Sequence, residues 1–325
     1  MAYGVIGFSQ AGKNGLNQSQ PSPSIWGDCS SQELLDEGAG YFTYKTFFDA
    51  VTLPDLPTSA TGASTIAYET ATFSGSIVPD HAIKITTAAA AQDAITVLTK
   101  PIGPIAAGSG RKYWAETAVS VASATNATQG LFFGLAIAKV GITSSTGGAS
   151  TVGFFDTVSA TRTSNKVQTG TFVGFLGMPT GSGNLMKIDV AYMNQPTYSV
   201  TPTTVPATTS TATTVGSVIY VQTDVLNSPA LAANGGSTIN TVPAGVLTVL
   251  GPNTGGDVVA NVFIKLGLRY DGQGFLYFYV NGILAAKLQV TSLFDQVSSL
   301  GTLLSITGNA VSIDCDFIRA GSKQF

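Results

Sequence analysis

Histidine occurs once in this sequence, as His81, and cysteine twice, as Cys29 and Cys315. So sparse a set leaves no transition-metal site of familiar spacing. Glutamate is nearly as rare, with Glu33, Glu37, Glu69 and Glu116 the only four. Just 10% of residues are charged, the formal net charge is −3, and no Lys/Arg run interleaves with aromatics, which argues against nucleic acid as a partner. The start, Met-Ala-Tyr-Gly-Val-Ile-Gly-Phe-Ser-Gln, lacks the basic-then-apolar pattern of a secretory leader, and no apolar run reaches bilayer-spanning length. The expectation is synthesis in a cytosol with no membrane partner. The two cysteines could bridge the ends of the chain, but a reducing compartment favours two free thiols.

The same scarcity bears on catalysis. His81 follows Asp80, but neighbours on an extended backbone point to opposite faces, and no Gly-x-Ser-x-Gly elbow accompanies them. Sugar-cleaving sites need two carboxylates on one face, and the nearest approach here is Asp314 and Asp316 in Ser312-Ile-Asp-Cys-Asp-Phe. With no third acid nearby, that run reads as a last strand with a polar outer face. Asp257, Asp271, Asn253 and Asn281 lie in turns without the spacing of a calcium loop. The expectations are therefore no catalytic residues, no metal, no cofactor and no enzymatic activity.

What the chain does have is apolar, β-branched and turn-forming. Hydrophobic residues make up 44% and glycines number 37, a balance that favours an all-β protein with a large core. Residues 1–60 differ in character: polar residues crowd 7–24, and Pro21, Pro23, Pro54 and Pro57 interrupt any long element. This reads as an N-terminal arm with a short helical turn near 31–37. Its aromatics, Tyr3, Phe8, Trp26, Tyr41, Phe42, Tyr44, Phe47 and Phe48, are candidates for anchoring to a surface, or for plugging one end of the protein's own fold. Residues 61–325 form the body, with a Thr/Pro-rich insertion at about 194–215 that reads as an exposed excursion within one domain.

Within the body, short apolar runs alternate with Gly, Pro, Ser and Asn clusters at sandwich or barrel spacing. Strands are expected at 82–86, 94–98, 112–121, 130–138, 152–156, 171–176, 185–193, 217–223, 246–250 and 312–319. Between 263 and 288 the sequence spells two consecutive hairpins, turned at Asp271-Gly272 and Asn281-Gly282. In this region Tyr277 and Tyr279 share a strand face, and with Trp114 they are candidate platforms for stacking a sugar ring, although packing is the commoner use of such rings.

Four segments together carry a resemblance: Arg111-Lys-Tyr-Trp-Ala-Glu-Thr-Ala-Val-Ser-Val, Gln129-Gly-Leu-Phe-Phe-Gly-Leu-Ala, the 263–282 hairpin region, and Ile313-Asp-Cys-Asp-Phe-Ile-Arg. In order, they resemble the strands of concanavalin-like jelly-roll proteins of tailed-bacteriophage virions. The resemblance spans about 82–320 and implies a jelly-roll β-sandwich with an extended arm. It further implies a non-enzymatic capsid decoration (cement) protein on the outside of the virion, with the major capsid protein and itself, as a trimer, for partners. The alternative it leaves open is a fibre or tail component that recognises host-surface glycans.

Overall fold

The structure, a computed structural model, describes residues 22–29, 41–47, 58–60, 64–68, 82–89, 93–98, 108–137, 154–159, 164–167, 170–179, 186–195, 203–205, 218–222, 224–226, 258–289 and 300–323. Most of them are strand, and α1 (Pro23–Trp26) is the one helical turn among the described residues. In chain order the elements are α1 (Pro23–Trp26), β1 (Tyr41–Phe47), β2 (Thr58–Ala60), β3 (Thr65–Tyr68), β4 (Ile83–Thr86), β5 (Ala94–Leu98), β6 (Lys112–Val121), β7 (Gly130–Ile137), β8 (Phe155–Thr157) and β9 (Lys166–Val167). They continue with β10 (Phe172–Pro179), β11 (Met186–Met193), β12 (Thr203–Thr204), β13 (Ile219–Gln222), β14 (Ile264–Tyr270), β15 (Phe275–Val280), β16 (Ile283–Gln289), β17 (Leu300–Thr307) and β18 (Ser312–Lys323).

Two antiparallel sheets face each other. One runs β16-β15-β14-β6-β18-β4-β3, with β1 also pairing to β18; the other runs β13-β11-β10-β7-β17-β5-β2. Strict alternation along the central strands aims one set of side chains between the sheets. From β6 these are Tyr113, Ala115, Val119 and Val121; from β7, Leu131, Phe133 and Leu135; from β14, Leu266, Leu268 and Tyr270. The result is an all-β, concanavalin-like jelly-roll sandwich.

The hairpins fold as the sequence suggests, with one difference. Asn281 and Gly282 both take positive φ, 51° and 79°, as a two-residue turn requires. At the other hairpin only Gly272 does, and Asp271 instead accepts the amides of Gln273, Gly274 and Phe275 on its Oδ1 at 2.8, 2.9 and 3.0 Å. A side chain closes that wider loop.

β18 departs from the expected alternation. A bulge between Cys315 and Phe317 shifts the phase, so Ile313, Cys315, Ile318 and Ala320 face the main core while Phe317 packs outside with Ala82, Ala118 and Phe263. Asp314 and Asp316 are 2% and 1% exposed, which corrects the polar outer face expected of this strand. Cys29 and Cys315 are both free thiols, and burial pushes the Cys315 thiol well above its ordinary range.

A third sheet, β12-β9-β8, lies over the outward face of the second large sheet. The opposing residues Gly134 and Gly174 leave room for the Phe132 ring to lie flat on the sheet, since a Cβ at either glycine would crowd the facing backbone and that ring. Phe154 stacks directly on Phe132, with centroids 3.7 Å apart and planes 5° from parallel, and Phe172 meets both edge-on. Ser305 holds Phe154 in place by accepting its amide at 3.0 Å. Val205, in the Thr/Pro-rich insertion, is fully buried in this second core, and the half-buried Thr203 and exposed Thr204 pair with Val167 and Lys166, so this part of the insertion is tied to the body by one buried side chain and a short ladder. The expected arm helix at 31–37, the expected strand at 246–250 and His81 fall outside the described residues.

If this face is a sealed core, Phe132→Ala should cost about 3–5 kcal/mol, the range for removing a buried phenylalanine. Urea unfolding of the two proteins measures it, and a loss under about 1 kcal/mol would mean that the layer is not packed as described.

Candidate functional site

The outward face of the first sheet carries an unusual concentration of buried polar groups. Even-numbered positions of β6 present Trp114, Glu116, Ala118 and Ser120 outward, and the register sets Arg269 beside Trp114 and Gly267 beside Glu116 on β14, with Arg319 beside Glu116 on β18. Tyr277 lies opposite Arg269, and Lys287 opposite Tyr277. A single row across the sheet therefore reads Trp114, Arg269, Tyr277, Lys287.

Segment 22–29 covers the centre of this face. Pro23 opens the single turn of α1, with its fixed φ suited to a first helical position. Ser22 makes no cap to that turn; its N–H instead donates to Glu116 Oε2 at 3.1 Å and its hydroxyl donates to Glu116 Oε1. Trp26 Nε1 donates to Glu116 Oε2 at 2.9 Å. A carboxylate with no exposure thus collects three donors from one short segment.

Shape matches the polar contacts. Ile25 sits where a Cβ on residue 267 would be, so the glycine of β14 is the socket for its side chain. The Trp26 ring lies over Trp114, with centroids 6.3 Å apart and planes 20° from parallel, and Ile25, Trp26, Trp114 and Tyr279 form one buried apolar cluster. The segment's other end is held by Asp28, which accepts from Lys112 Nζ at 2.9 Å, Trp114 Nε1 at 2.8 Å and Arg269 Nη2 at 2.9 Å. Ser24 Oγ donates to the Gly282 carbonyl in the β15–β16 turn.

The electrostatics follow from burial among opposite charges. Partial burial pushes the Asp28 carboxyl upward, but hydrogen bonds from Lys112 and Trp114 and the charges of Arg269 and Lys112 outweigh it and hold the group below its ordinary range. Burial pulls the Lys265 ammonium down against the opposing pull of Glu116 and Asp316. It also lowers Arg319 to about 10, again opposed by Glu116 and Asp316. Among the described residues no three His, Cys, Asp or Glu side chains group as a metal site would need.

The candidate residues of the sequence analysis divide accordingly. Trp26, a candidate surface anchor, is 3% exposed in the chain's own sandwich. Trp114 and Tyr279, candidate sugar platforms, are 1% and 7% exposed beneath the segment, while Tyr277 is half-buried on β15, one strand in from the end of the sheet. There Phe275 and Tyr277 share a face, and the Lys287 ammonium stands 3.9 Å from the Phe275 ring centre and 5.3 Å from that of Tyr277. Tyr41, Phe42, Tyr44 and Phe47 belong to β1, with side chains outside the described set, as are Tyr3, Phe8 and Phe48 altogether. Sequence reasoning missed Ser22, Ile25, Asp28, Lys112, Glu116, Gly267 and Arg269 as partners in one site. The available signal was Ile25-Trp26, an apolar pair set between Pro23-Ser24 and Gly27-Asp28.

No protein-family model and no curated protein matches the chain. Among solved structures it is similar to peanut lectin bound to a nine-residue peptide, at 13% identity and a TM-score of 0.49, over 88% of this chain and 98% of that one. It is also similar to a carbohydrate esterase from the Shiga toxin-encoding bacteriophage phi24B, at 13% identity and 0.39, over 84% and 92%. An endo-1,3-β-glucanase from Streptomyces sioyaensis matches at 10% identity and 0.41, over 89% and 99%. Likeness at this level concerns the fold, and the set of a lectin and two enzymes selects neither binding nor catalysis.

The depressed Asp28 value fixes the sign of a pH effect. A carboxyl held lower in the folded state stabilises docking above its unfolded value of about 3.9 and loses that contribution as pH falls through the folded value. Fluorescence of Trp26 and Trp114, the chain's two tryptophans, should hold its docked signal down to about pH 4 and change below it. Asp28→Asn should weaken docking at neutral pH and flatten that acid step; identical profiles would contradict the assignment.

Proposed function

We propose that this chain is a non-catalytic virion structural protein, a decoration protein that binds the head shell of a tailed bacteriophage through its N-terminal arm. The observation that carries this reading is that, among the described residues, the chain covers the centre of each outward face of its sandwich with its own side chains. Phe154, Phe155 and Val205 seal one, and Ile25 and Trp26 cover the centre of the other. A groove for a polysaccharide has to stay open and carry its acids on one accessible face. Here the acids on the outward face, Glu116, Asp314 and Asp316, are buried.

Attachment through the arm is supported by what the sandwich leaves exposed. Among the described residues Val259 is the one large hydrophobic side chain that stands well exposed, at 41%. The described residues of the body therefore offer no broad apolar patch for docking. The arm supplies aromatics ahead of the docked segment, Tyr3 and Phe8, and in this reading Ser22–Asp28 is the root that fixes the arm's point of departure. Binding across shell seams adds interface area that must be broken before the shell opens.

Purified shells mixed with the chain provide the test. Deleting residues 1–20 should abolish co-sedimentation with the shells and leave the unfolding midpoint unchanged, because the docked segment is kept. Undiminished co-sedimentation would overturn attachment through the arm.

A second reading, glycan recognition by a fibre or tail component, is favoured by one feature: the half-buried Phe275 and Tyr277 pair on β15, one strand in from the end of the sheet, with Lys287 and Gln289 on the end strand β16. Saturable binding of a host-surface glycan, lost at least tenfold in Tyr277→Ala, would establish it; such a loss corresponds to about 1.4 kcal/mol. No saturable binding by the unaltered protein would dismiss it.

A further inference from the structure

The cradle that holds Ser22–Asp28 recognises sequence and not connectivity. Every polar contact that fixes the segment on the sheet is with a residue far away along the chain: Glu116 lies 94 residues from Ser22 and 90 from Trp26, Lys112 lies 84 from Asp28, Arg269 lies 241 from Asp28, and Gly282 lies 258 from Ser24. A second copy of the chain would offer each of these donors and acceptors in the same positions.

Two features show that the cradle is built for an occupant. Glu116 is wholly buried and takes three donors from the segment; if the segment left and water did not replace it, a carboxylate would stand desolvated and stripped of those donors, which is costly. Gly267 leaves a gap in the outward row of β14 that Ile25 fills. An occupant therefore needs an aliphatic side chain, an indole N–H on the next residue and a carboxylate two residues further on. Ile25-Trp26-Gly27-Asp28 meets that description, and the occupant with identical chemistry is the same segment from another copy.

Because the contacts are the same in both arrangements, docking within a chain and docking between chains differ mainly in the entropy of the connection. That difference shrinks as copies are crowded together, since the local concentration of neighbouring arms approaches the millimolar effective concentration that a short tether provides. A shell coated with this protein is such a crowd.

The geometry points to arm exchange: on the coated shell, the cradle of one copy takes Ser22–Asp28 of a second copy, so that adjacent decoration proteins are linked to one another. This inference rests on the shell-coat reading given above.

Complementation between two full-length variants tests it without any shell. Gly267→Val fills the socket that Ile25 occupies while keeping an intact segment, and a strand glycine of ordinary φ accepts valine. The double variant Trp26→Ala, Asp28→Ala keeps the socket and loses the segment's anchors. Each alone should run as a monomer by size-exclusion chromatography with light scattering, and a concentrated equimolar mixture should contain a one-to-one heterodimer absent from either parent. If circular dichroism shows both variants folded and no heterodimer forms at any concentration, exchange is overturned.

Should Gly267→Val fail to fold, a synthetic peptide of residues 20–30 is titrated into the double variant. Saturable binding that Glu116→Gln in the same background weakens at least tenfold supports exchange, and no binding overturns it. Neither experiment involves shells, so its failure would leave the co-sedimentation result intact, and loss of shell binding would leave the complementation result intact.

Discussion

One buried carboxylate organises the outward face of the first sheet. Glu116 stands on the central strand β6 with no exposure, between Gly267 and Arg319 in the register and near Lys265. Besides the opposite charges of Lys265 and Arg319 close by, the buried carboxylate takes three donors from a segment some ninety residues upstream, without which its desolvation would be poorly offset. From this single requirement follow the placement of Trp26 over Trp114, the burial of Tyr279, and the reach of Asp28 to Lys112 and Arg269. The interaction makes Ser22–Cys29 a structural layer on this sheet.

The opposite side of the molecule reaches the same end by packing alone. Two facing glycines, a phenylalanine lying flat on them and a second stacked on the first make a dry seam between the sheet and the small third sheet. One face is closed by hydrogen-bonded charge and the other by aromatic area, and the two leave the sandwich with little apolar surface among the described residues. A protein closed in this way suits a role in which its arm and its edges make the contacts.

How much of this was legible in the sequence depends on the range of the interaction. Local signals worked: β-branched and apolar runs bounded by Gly, Pro, Ser and Asn clusters, and the turn dipeptides at 271 and 281, gave most of the strands near their observed limits. β17 was missed because Leu300-Gly-Thr-Leu-Leu-Ser-Ile-Thr, with its glycine and hydroxyl side chains, lacks clean alternation, and β9 and β12 were missed because two-residue strands have no period to read. The bulge after Cys315 was invisible for a similar reason: the phase shift arises from how β18 pairs with β6, and nothing local announces it. The site was least legible. Its halves lie ninety and more residues apart, Glu116 looks like any outward strand residue, and Gly267 looks like a weakness in β14 until Ile25 is seen above it.

Chemically, the face assembled from these residues is suited to holding a peptide, and the account makes the chain a coat component present wherever the shell presents a seam. The most direct measurement is the copy number of this chain in purified virions relative to the major shell protein, by quantitative mass spectrometry. The account predicts a ratio near one to one. A few copies per particle would place the chain in a tail or fibre, and its absence from particles would contradict the account outright.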